Sequence, residues 1–135
     1  MIFKENNIRK PLYIESGKSK IHGRGVFAKE YFKPGAIIEK APLILLDHTE
    51  RENLQNTLLF DYYFLLNDKN FPVALALGMA SLYNHAVNPN ASYSILLKNQ
   101  VMVLKAICAI NAGDEITINY HGKPGDTTEV YFSRK

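Results

Sequence analysis

A β-rich α+β domain is the fold class that this 135-residue sequence predicts, on three observations. Short segments mixing β-branched, aromatic and polar residues recur along it, as half-buried strands require. Proline, glycine, asparagine and aspartate punctuate them at close intervals. One segment alone carries a convincing helical period, and the strict strand–helix alternation of a doubly wound sheet is missing.

The elements follow in order. "LYIES" and "GVFAKEYF" read as short strands. Lys33-Pro34-Gly35 is a turn: Pro34 fixes φ and Gly35 can take a positive one. "AIIEKAPLILL" is extended, and Pro42, which lacks an N–H, confines part of it to an edge or a bulge. A helix starts near Thr49, because Thr49 and Glu52 stand at capping-box spacing. Leu54, Leu58, Tyr62 and Leu65 continue at helical spacing, so the prediction covers residues 49–67, with "NDKNFP" as the stop. "YSILL" and "VMVLKAI", separated by "KNQ", predict a β-hairpin. "NAGDE" is a turn, "ITINY" a strand, "HGKPGD" a loop, and "VYF" closes the chain.

Composition narrows the classes. The sequence is 47% hydrophobic and 21% charged, enough for one domain over residues 1–135 with a real core. It holds no run of about 18 apolar residues, so no membrane span is expected. Its start lacks an apolar signal region, which points to an intracellular protein, cytoplasmic or nuclear. Cys108 is the single cysteine, so neither a disulfide framework nor a cysteine-built zinc cluster is expected, and in "KAICAI" it reads as a buried, inert thiol. A net charge of +3 from 16 basic and 13 acidic residues gives no nucleic-acid signature. Between Asp47 and Asp68 the acidic residues Asp47, Glu50, Glu52, Asp61 and Asp68 outnumber Arg51. They read either as a solvated helix face or as an acidic rim for a basic peptide.

The chemistry is not that of a metal or a nucleophile. His22, His48, His85 and His121 do not pair at metal-ligand spacing, so no metal is expected. No strand–turn–helix "GxSxG" occurs. "GRGVFA" lacks the third glycine of a dinucleotide loop. What stands out is "SLYNHAVNPNASY", Ser81 to Tyr93, with more asparagine, histidine and proline than a surface turn needs.

Three islands, "HGRGVFA" (22–28), "NHAVNPN" (84–90) and "GDEITINY" (113–120), occur in this order. Together they resemble the SET-domain protein lysine methyltransferases, over about Tyr13 to Phe132. The resemblance implies a β-clip-like fold of several small sheets, with a knot-like C-terminal crossing, one main helix in the insert, and a closing segment over 121–135. It implies S-adenosylmethionine as methyl donor, leaving as S-adenosylhomocysteine. Gly23, Arg24, Gly25, Asn84, His85 and Phe132 would bind it, and Tyr120 would be the catalytic residue. Tyr93, Ile118 and Tyr131 would line the channel of the substrate lysine, with Tyr83 a weaker candidate. Ile118 stands where many such enzymes carry the phenylalanine or tyrosine that sets methylation number. Glu115 would hold the crossing through hydrogen bonds.

The implied partner is a protein with a lysine in a basic tail, a histone or another, with no direct nucleic acid or membrane contact and room for a homodimer. The sequence departs from the family pattern where Ser81 precedes the Asn-His pair and Ala86 follows it, and where flanking zinc segments are absent. A non-catalytic module of the same fold, binding cofactor or peptide, is the alternative reading.

Overall fold

The computed structural model describes residues 13–130. Among these residues nine strands follow one another: β1 (Ile14–Lys18), β2 (Arg24–Ala28), β3 (Ile37–Leu46), β4 (Phe64–Leu65), β5 (Val73–Ala76), β6 (Asn84–His85), β7 (Ala91–Leu96), β8 (Val101–Ala106) and β9 (Glu115–Ile118). The single α-helix among the described residues, α1 (His48–Leu54), lies between β3 and β4. Short 3₁₀ turns at Leu58–Asp61, Ala80–Leu82 and Leu97–Asn99 complete the regular structure. The predicted β-rich α+β class is therefore the observed one.

The strands form two sheets, ordered β1-β2-β9-β6 and β4-β5-β3-β8-β7. The predicted hairpin is β7–β8, with Leu96 opposite Val101. Its turn is tight enough to force Gln100 to a φ of +50°. One continuous core includes Val26, Ile116 and Ile118 of the smaller sheet and Ala41, Met102 and Leu104 of the larger. Nearly alternate burial along β8 (Met102, Leu104 and Ala106 inward) is the period-2 signature of a half-buried strand.

Three expectations are corrected. The insert helix ends at Leu54 rather than continuing toward residue 67. Its N-cap is Asp47, which forms a reciprocal capping box with Glu50, so the Thr49–Glu52 spacing lost to the same pattern two residues earlier. The helix buries none of its residues, so no tertiary packing extends it, and the Thr57 hydroxyl bonds back to the Leu54 carbonyl at 2.8 Å. Pro42 lies at neither a sheet edge nor a bulge. It is the last residue of β3 to pair with β8, and Leu43 is the first to pair with β5, so the missing N–H falls where the strand changes partners. Cys108 is exposed, not buried.

The smaller sheet positions the site. β6 pairs in parallel with β9, Asn84 opposite Thr117 and His85 opposite Ile118, bringing two of the three sequence islands together. β2, which carries the first island, pairs with β9 through Val26 and Ile116. Asn90 fastens the crossing, its Nδ2 donating to the Glu115 carbonyl (2.8 Å) and its Oδ1 accepting from the Thr117 N–H (2.9 Å). Beyond β9 the chain turns back over the same segment. Gly125 N–H donates to the Val87 carbonyl, and Asn119 Nδ2 donates to the carbonyls of both Val87 and Asp126. Among the described residues no helix is long and apolar enough to cross a membrane.

Candidate active site

Asn84 is the hub of the site. It is 3% exposed, and its Nδ2 lies within hydrogen-bond reach of the His22 carbonyl (2.9 Å), the Arg24 carbonyl (3.0 Å) and Glu115 Oε1 (2.8 Å). One amide thus ties the glycine loop to β9. Glu115 also takes the Ser19 hydroxyl at 2.8 Å, and Ser19 Oγ accepts the N–H groups of Ile21 and His22. Glu115 does hold the crossing. A Cβ at Gly25 would collide with the Glu115 carboxylate and displace it from its bonds to Ser19 and Asn84. Gly23 takes a φ of +47°, and a Cβ there would meet nothing of the protein.

His85 accepts the Tyr120 N–H on its Nδ1 at 3.0 Å, and the two rings lie 5.2 Å apart. Burial holds the imidazole below its ordinary pKa of 6.5; His121 adds to this and Asp126 opposes it. The Tyr120 hydroxyl donates to the Tyr83 carbonyl at 2.7 Å. Burial first, then Tyr62 and Glu115, push the Tyr120 phenol well above its usual range, so it stays protonated. Tyr93 stands behind it, donating its hydroxyl to the Tyr120 carbonyl at 3.2 Å and packing edge-on against Phe64.

Three cavities meet around these residues. One of about 320 Å³ is walled by the insert aromatics Phe60, Tyr62, Tyr63 and Phe64, with Tyr83 and Tyr120. A second, of about 460 Å³, is walled by Asn84, His85, Val87 and Tyr120 and by residues 127–130. A third, of about 60 Å³, lies against Gly23, Arg24, Tyr62 and Asn84. Tyr120 borders the first two, and Asn84 and His22 border the last two.

Of the residues singled out in the sequence, Gly23, Arg24, Asn84, His85 and Tyr120 line these spaces, and Gly25 packs against the side chains of Glu115 and Asn84 instead. Ile118 is fully buried in the core, and neither it nor Tyr93 is among the wall residues of the three cavities. Tyr131 and Phe132 lie outside the described residues. Phe60, Tyr63 and Phe64 line the first cavity unforeseen from the sequence, and Tyr62 lines it rather than a helix face. The available signal was the density of "FDYYF", four aromatics in five positions, too many for one helix to bury. The acidic excess is largely spent locally: Asp47 and Glu50 cap α1, and Asp68 accepts the N–H groups of Asn70 and Phe71.

The SET-domain pattern matches residues 23–121. Over 114 residues the chain is 32% identical to the histone-lysine N-methyltransferase, H3 lysine-37 specific, of Schizosaccharomyces pombe, covering 84% of this chain and 75% of that one. Over 128 residues it is 31% identical to the H3 lysine-4 specific histone-lysine N-methyltransferase of Mycosarcoma maydis, covering 88% of this chain and 9% of that much longer protein. A candidate histone methyltransferase of Plasmodium falciparum superposes with a TM-score of 0.63 at 36% identity, over 79% of this chain and 96% of that one. A humanised Polycomb Repressive Complex 2 from Chaetomium thermophilum shares the fold over 82% of this chain and 15% of its own, with a TM-score of 0.68 at 23% identity. The protein is therefore a member of the SET-domain family of protein lysine methyltransferases.

Proposed function

We propose that this chain uses S-adenosylmethionine to methylate a lysine in a basic protein tail of the histone kind. In this reading the cofactor takes the 460 Å³ cavity and its 60 Å³ annex, while the lysine enters through the 320 Å³ aromatic cavity. The observation that carries it is that Tyr120 borders both larger cavities.

The residues present fit such a cofactor. The cavity of about 460 Å³ falls in the range of a small-molecule site, about 300–1,000 Å³. Gly23 bares its backbone to open space in the annex wall, where a polar ligand end can approach closely. Ile21, Val87 and Val130 give the larger cavity apolar faces for a flat ring. When bound, S-adenosylmethionine supplies a methyl group on a positively charged sulfur.

The chain's own task is alignment. A free lysine has a pKa of about 10.4, so the incoming amine must lose its proton before it can attack. The apolar walls of Phe60, Tyr63 and Phe64 disfavour the ammonium form, and the aromatic faces guide the side chain inward. Tyr120 does not act as the base, because burial holds its proton on. That proton is donated to the Tyr83 carbonyl, which fixes the direction of the hydroxyl, and in this reading its oxygen orients the incoming amine. Orientation of this kind can remove about 7–11 kcal/mol of barrier.

The test is transfer of labelled methyl to histones and to a mixed protein extract, with Tyr120→Phe alongside. We expect label on lysine, reduced by at least about 10²-fold in the variant. Cofactor binding without transfer in the unaltered protein would instead support a non-catalytic module of the same fold.

A further inference from the structure

β3 breaks its alternation at one place. Ile37 pairs with Lys105 and Glu39 with Leu104, so a bulge lies between them. The consecutive residues Ile38 and Glu39 are consequently both buried, at 7% and 8% exposure. Bulges near sites serve to re-aim a side chain. Here the re-aimed group is a carboxylate in an apolar core, a costly placement unless its oxygens are used. Both are used: Oε2 accepts the Met79 N–H at 2.8 Å, and Oε1 accepts the Tyr83 hydroxyl at 3.0 Å. Gly78 makes room for it, at a φ of +64° and with the carboxylate where a Cβ would stand.

Core packing alone does not call for this arrangement, since a phenylalanine at Tyr83 would fill the same space with no buried carboxylate to satisfy. Tyr83 is 1% exposed. Its hydroxyl is held by Glu39, and its main-chain carbonyl receives the Tyr120 hydroxyl. We propose that Glu39 and Tyr83 are positioning residues for methyl transfer: the side-chain bond anchors Tyr83 so that its carbonyl aims the Tyr120 hydroxyl at the junction of the two cavities. This rests on Tyr120 being the catalytic residue. The chain of bonds runs from β3 in the larger sheet, through the residue before β6, to the residue two past β9 in the smaller one.

Tyr83→Phe removes one oxygen and keeps the ring, so it is the primary variant. It is compared with the unaltered protein, with Tyr120→Phe and with the double variant, in labelled methyl transfer to histones and in thermal melting. Tyr83→Phe should lower kcat by about tenfold or more with KM within about twofold, because misplacing an aligned group is felt in the transition state. In the Tyr120→Phe background the same change should cost less than about twofold, since the hydroxyl it positions is gone. Glu39→Gln, which keeps the shape and one acceptor, should retain more kcat than Glu39→Ala, and it carries the same double comparison if Tyr83→Phe melts too low to assay. Equal fold losses in both backgrounds would overturn the inference. So would an unchanged kcat in Tyr83→Phe beside a large loss in Tyr120→Phe. Full activity in Tyr120→Phe would remove the reading of Tyr120, and this inference with it.

Discussion

At the scale of single residues, the site depends on which atoms carry protons. His85 accepts from the Tyr120 N–H on Nδ1, so that nitrogen must be bare. Its pKa is depressed, mainly by burial, which means that the fold prefers the neutral ring. The resulting stabilisation is present above the unfolded value of about 6.5 and is lost as pH falls through the lower folded value. We expect the melting temperature to fall more steeply on going from pH 7 toward pH 5 in the unaltered protein than in His85→Asn, whose carbonyl oxygen can accept without titrating. Parallel curves in scanning calorimetry would refute this. Residue identities were the most legible level of the sequence. Gly25, Asn84, Glu115 and Tyr120 stood out because they fall in the three islands that carry the family resemblance. Tyr62 and its aromatic neighbours did not, because a spacing of three or four residues looks the same on a helix face as in the wall of a cavity.

At the scale of elements, local chemistry dominates. The β7–β8 hairpin was legible because "KNQ" divides two apolar stretches, but its cost was not. Gln100 sits in the left-handed region, where a side chain costs about 1–2 kcal/mol. Gln100→Gly should therefore stabilise the protein by about 0.5–1 kcal/mol net of the added chain entropy, read from urea denaturation midpoints. The length of α1 was misjudged because Asp47–Glu50 and Thr49–Glu52 both fit the capping pattern. Only tertiary packing could have carried it further, and this helix buries none of its residues fully. In β3 the position of Pro42 was legible as a constraint, but the change of partner strand that satisfies it is a property of the sheet.

At the scale of the whole molecule, the far wall of the 460 Å³ cavity comes from residues 127–130, which the C-terminal return holds in place. That return is fastened by Asn119 Nδ2 on the carbonyls of Val87 and Asp126, by Gly125 N–H on Val87, and by His121 Nε2 against the Thr128 carbonyl at 3.1 Å. Asn119→Ala loses the bonds that bridge both sides of the return. We expect it to weaken S-adenosylhomocysteine binding by about tenfold, equivalent to about 1.4 kcal/mol, in titration calorimetry. Unchanged affinity would mean that the return is not what shapes this wall.

The two-residue parallel pairing of β6 with β9 has a consequence in time. Parallel neighbours cannot be joined by a tight turn, and here Asn84 meets Thr117 while Ser19 reaches Glu115 across 96 positions. Contacts so remote along the chain form late, after the hairpins have closed. A refolding or nascent chain would thus regain most of its strands while still chemically inert, with competence arriving only when β9 has met β2 and β6.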